Sequence, residues 1–99
     1  MSKAQPVLLN RAKMCAALRS GQHRQQKYDI GFYDHPEMPV CFAGLGYRIF
    51  NIRGPRALEK TLGISHSAAC TLVKCNDSNY TFPMLADMLE ALPVTEYAE

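Results

Sequence analysis

Residues 54–75 read GPRALEKTLGISHSAACTLVKC, and this stretch decides the fold class. Gly54-Pro55 breaks whatever precedes it, and Pro55 suits the first turn of a new helix, where no N–H is needed. That helix is expected to run to Leu62 and stop at Gly63. Ser65 then offers a hydroxyl to the free N–H groups of a second helix, expected through about Lys74. Ala69, Leu72 and Val73 form its apolar side. Two helices joined by a glycine turn indicate a helical domain.

Further along, Cys75 to Asn79 reads as a turn, and Thr81 caps a last helix that tolerates Pro83 in its first turn. Phe82, Leu85, Ala86, Leu89 and Leu92 recur at helical spacing and define a core face. Pro93 ends that helix. Working back, Phe42 to Ile52 is the most apolar stretch and reads as a buried helix. Gly44 and Gly46 lower its propensity by about 1 kcal/mol each, so they signal close packing against a neighbour. Leu8 to Ser20 reads as a first helix, closed by Gly21, with Leu8, Leu9, Ala12, Cys15, Ala16 and Leu18 as its apolar stripe. Between these helices, Tyr28 to Asp34 alternates and is rich in aromatics, and Met38 to Cys41 is a second candidate strand. Together they predict a small β-hairpin, with Pro39 placing the second strand at an edge. The expected class is α+β, mostly helical: four to five short helices and one hairpin. The chain of 99 residues suits a single domain, ordered over about 7–93, with the first few residues and 94–99 flexible.

Composition narrows the function. No apolar run approaches the roughly 18 residues that span a membrane, and no secretory leader is visible, so the cytosol of the cell that makes the protein is the expected location. Cys15, Cys41, Cys70 and Cys75 lack zinc-ligand spacing, and reduced, buried thiols are expected. His66 and Cys70 stand four residues apart and can share a helix face; the plain reading is a helix-start histidine near a core cysteine. No catalytic constellation, metal site or cofactor is expected.

The net charge of +2 hides an asymmetry. Lys3, Arg11, Lys13, Arg19, Arg24 and Lys27 fill the first 27 residues without an acid. Asp77, Asp87, Glu90, Glu96 and Glu99 fill residues 75–99 without a base. Such a separation either steers an anionic partner or draws the two ends of the chain together. The residues placed to contact a partner or ligand are Arg19, His23, Arg24, Lys27 and Tyr28, with Arg48, Arg53 and Arg56 as a second group.

Three stretches occur in a telling order: AALRSGQHRQ over residues 16–25, CFAGL over 41–45, and LVKCNDS over 72–78 followed by Phe82 and the LADMLE of 85–90. In this order they resemble a family of small, uncharacterised phage and prophage proteins whose members show A-L-R-S-G-x-Y-x-Q, C-C-L-G-V and L-N-D-S-G motifs before a final F-x-x-I-A-D helix. His23 stands where that pattern has tyrosine, Phe42 replaces its second cysteine, and Asn79 its glycine. The resemblance implies a phage origin. The expected function is a non-enzymatic binding protein that interferes with a host defence or another host machine, its partner a host protein or protein–nucleic acid complex. Two alternatives stand beside it. One is a helix-turn-helix DNA binder over Arg56 to Cys75, with Gly63 at the turn and His66, Ser67, Thr71 and Lys74 facing DNA; Glu59 sits where such motifs want a small residue. The other is a nucleotide- or small-ligand-sequestering module, with cations near Tyr28, Phe32 or Tyr33. A homodimer is compatible with each.

Overall fold

A computed structural model describes residues 4–31, 34, 35 and 37–95. Five helices follow one another: α1 (Ala4–Arg19), α2 (Phe42–Phe50), α3 (Pro55–Leu62), α4 (His66–Asn76) and α5 (Phe82–Ala91). The ends of these helices obey local chemistry. Ser65 Oγ accepts from the N–H of Ala68, and Thr81 Oγ1 from that of Met84. Pro55 opens α3, and Gly63 closes it in the left-handed conformation at φ 62°. Helix α4 runs to Asn76, into the stretch expected to be a turn. The segment expected to be flexible beyond residue 93 is tied at one point, where the N–H of Thr95 donates to Gly63 O at 2.7 Å; residues 96–99 lie outside the described ones.

Helix α1 lies against α5 and α3, while α2 and α4 complete the far side of the core. The expected core face of α5 is buried at Phe82, Leu85, Ala86 and Leu89. The glycines of α2 mark close approaches, as expected: a Cβ on Gly46 would stand 2.4 Å from Leu58 Cδ1, and one on Gly44 would stand 2.5 Å from Ile30 O. The stripe of α1 differs from expectation. Leu8 and Leu9 are exposed, Leu9 at 67%, and the inward face is Arg11, Met14, Cys15 and Leu18. The pattern misleads because an arginine occupies a core position.

Arg11 is buried with no carboxylate partner among the described residues. Its Nε donates to Leu62 O at 2.7 Å, one terminal nitrogen to Leu92 O at 2.6 Å, and the other to Gly63 O at 2.9 Å and Pro93 O at 3.0 Å. These carbonyls belong to the C-terminal ends of α3 and α5, which lack intrahelical donors and carry the negative end of the helix dipole. One planar cation therefore serves two helix ends at once. Burial lowers its pKa, but an arginine remains charged.

The expected hairpin is absent: no strand exists among the described residues, and the fold is all-helical. Val40 is bridged to two separate places instead, in parallel to Gln25 and antiparallel to Gly31. Its N–H donates to Arg24 O and its carbonyl accepts from Gln26 N, so the chain from 24 to 31 wraps around Val40. Two features oppose a ladder. Pro39 has no N–H to donate, and Tyr28 and Gly31 adopt positive φ angles of 67° and 84°, which turn the backbone out of extension. Phe32 and Tyr33, part of the expected first strand, lie outside the described residues.

Candidate functional site

Two sites emerge, one on the loop between α1 and α2 and one between α2, α3 and α4. The loop is organised by Asn76, which is fully buried at the end of α4. Its Oδ1 accepts from the N–H of Phe42, opening α2, and from Gln25 Nε2, each at 3.1 Å. Its Nδ2 donates to Gln26 O at 2.8 Å. A single amide thus joins three segments distant in sequence. Next to it, Asp77 Oδ1 accepts from the N–H of Tyr28 at 2.7 Å, and Lys27 Nζ donates to Ser78 O. Tyr28 is pinned by its backbone while its side chain stands 81% exposed.

Arg48 of α2 holds the other limb of the loop. It donates to His35 O at 2.6 Å, to Met38 O at 2.8 Å and to His23 Nδ1 at 3.1 Å. Burial, and then the charge of Arg48, lower the pKa of His23. Arg24 donates to Glu37 O at 2.9 Å. His23, Arg24, Lys27, Tyr28 and Arg48 are therefore brought together on this loop or its support. Arg19 lies elsewhere: it pairs with Asp87 at 2.6 Å and with Glu90, both on α5. Here the basic and acidic ends of the chain do attract each other. The pairing lowers the pKa of Glu90. Arg53 and Arg56 flank the break before α3, and each has interactions of its own. Of seven large apolar side chains exposed among the described residues, Tyr28, Ile30 and Met38 stand on the loop, and Tyr80 is bonded to it through Gln25, so exposed apolar surface concentrates there.

The second site is a cavity of about 250 Å³. Its walls are Phe42 and Ala43 of α2, Pro55 and Leu58 of α3, and Ala69 and Val73 of α4. Glu59, His66, Cys70 and Lys74 also line it. Glu59 Oε2 stands 2.9 Å from His66 Nδ1, and Cys70 Sγ stands 3.5 Å from His66 Nε2. The Glu59 side chain is only 4% exposed, whereas His66 is largely exposed. Sequence reasoning found the spacing of His66 and Cys70 but expected a core cysteine; Cys70 is exposed, in contrast to Cys15 and Cys41. Burial raises the thiol pKa of Cys15 to about 11 and also raises that of Cys41. The Glu59 contact crosses the Gly63 turn, so no local pattern announces it.

No known protein family, curated protein or solved structure matches this chain. No helix among the described residues is long and apolar enough to cross a membrane.

Proposed function

We propose that this chain is a non-enzymatic binding protein whose loop over residues 20–41 seats on a partner protein. The observation that carries this reading is Tyr28. A large aromatic ring faces solvent from a left-handed backbone; the Tyr28 N–H donates to Asp77 at the end of α4, and the neighbouring Lys27 side chain donates to Ser78 O. A non-glycine residue in that conformation costs of order 1 kcal/mol, and within the monomer the exposed ring gives nothing back. Against a partner it gives a rigid aromatic anchor, the kind of residue that dominates binding energy.

The resemblance of the three ordered motifs to small phage proteins is what supports a host partner, in a defence system or another host machine, alone or with nucleic acid, in the bacterial cytoplasm. Direct DNA binding is the second reading, favoured by two helices meeting at Gly63 with His66, Ser67, Thr71 and Lys74 exposed on α4. Pull-down from bacterial lysate at physiological salt separates these. The wild-type chain should retain a protein that Tyr28→Ala releases, with helical content unchanged. Retention of nucleic acid alone would favour the second reading, and retention of nothing would overturn both.

A further inference from the structure

We propose that Cys70 is an acyl-acceptor thiol, which takes the acyl group of an apolar acyl thioester whose chain enters the cavity between α2, α3 and α4. Three features converge on this site. First, Glu59, His66 and Cys70 form a relay. A carboxylate can only accept, so in the neutral form of the imidazole it holds the His66 proton on Nδ1 and leaves Nε2 bare towards the thiol. The carboxylate and the thiol meet opposite ring nitrogens, a proton path and not a chelate. Second, the Glu59 side chain is only 4% exposed and pairs with His66 at the cavity lining. Third, Cys70 is exposed at the lining of an apolar cavity, while Cys15 and Cys41 are sealed in the core.

The chemistry of the substrate follows from the backbone. Cys70 lies in the second turn of α4, where its own N–H is committed to the helix and offers nothing to a developing oxyanion. The donor must therefore arrive already activated, as a thioester does. His66 Nε2 takes the thiol proton, and Cys70 Sγ attacks the acyl carbon. The bond from that carbon to the donor sulfur breaks, and the departing thiolate receives the proton from His66. One thioester is exchanged for another, with no oxidant or reductant. The cavity of about 250 Å³ sets the chain: at about 30 Å³ per water-sized group it holds roughly eight methylenes. This modification is stoichiometric and independent of the loop around Tyr28.

The test uses octanoyl and acetyl thioesters of N-acetylcysteamine, with intact mass and peptide mapping as the readout. Octanoylation should fall on Cys70 and proceed roughly tenfold or more faster than acetylation. It should slow by a similar factor in His66→Ala, as expected for loss of a general base. Glu59 is a positioning residue, so Glu59→Gln should also shift the imidazole ¹⁵N signals of His66 away from the Nδ1–H tautomer. Equal rates for the two chain lengths, an unchanged rate in His66→Ala, or equal labelling of Cys75 would each overturn the proposal. Should either variant fail to fold, the chain-length comparison on the wild-type protein decides alone.

Discussion

The helical body and the loop between α1 and α2 are held by opposite means. The body is a layer of fully buried Met14, Leu18, Leu45, Leu62, Ile64, Leu72, Leu85 and Leu89, with two buried charged residues, Arg11 and Glu59, among the described residues. The loop contributes Val40 to that core and is otherwise held by polar side chains, chiefly Asn76 and Arg48. Apolar burial is spread over many residues and tolerates change; directional bonds gathered on one amide do not. The fold therefore has an intolerant point in each region, Arg11 in the body and Asn76 under the loop, and both are polar.

Arg11 should give the largest effect. Arg11→Met keeps the apolar stem and removes the guanidinium donors to Leu62, Leu92 and Pro93, leaving those helix-end carbonyls unpaired, while Gly63 O keeps the N–H of Thr95. The expected loss is roughly 3–5 kcal/mol by urea denaturation, at the upper end for single substitutions. Arg11→Lys should recover little of it, since a single ammonium cannot span both helix ends. An unchanged midpoint in Arg11→Met would mean that the body is held by apolar packing alone.

Asn76→Ala comes next, at roughly 2–3 kcal/mol, since the N–H of Phe42 and the carbonyl of Gln26 lose their buried partner. The informative readout is amide hydrogen exchange. Val40 and Gln26 should exchange much faster, while Leu85 in α5 should follow only the global change in stability. Equal acceleration everywhere would erase the distinction and make loop and body one cooperative unit.

This contrast also explains what the sequence disclosed. Helix α3, its stop at Gly63, and the caps Ser65 and Thr81 are local chemistry, and each is legible within four or five residues. The face of α1 is not, because partners on α3 and α5 decide which side turns inward, and they select Arg11 over Leu8 and Leu9. The loop resembles a hairpin in its alternation, yet its course is set by Asn76 and Asp77, some fifty residues away in sequence. The candidate sites divide likewise. The spacing of His66 and Cys70 is visible in the sequence; the carboxylate that completes the relay arrives by tertiary folding. Arg19 and Tyr28 stand out equally as letters, but one is paired on α5 and the other is left facing solvent.

The smallest expected effect is confined to the loop and is driven by pH. An arginine can only donate, so the contact from Arg48 requires a bare Nδ1 on His23. Protonation would set two cations face to face. Partial burial, and then Arg48, hold the pKa of His23 below its ordinary value of about 6.5. Near that pH the unfolded chain thus binds more protons than the folded one, and stability rises with pH. The contribution of His23 is fully present above the unfolded value and is lost as pH falls through the window below it. The carboxylate of Glu90, lowered by Arg19, has the same sign but acts only below the ordinary carboxylate value of about 4.3, so the two windows separate. NMR titration should show His23 titrating below its ordinary value, with the amides of Met38 and Val40 moving in step as Arg48 loses one of its anchors, and the amides of α5 still. Titration of His23 at or above 6.5, or co-movement of α5, would show that the loop has no polar lock of its own.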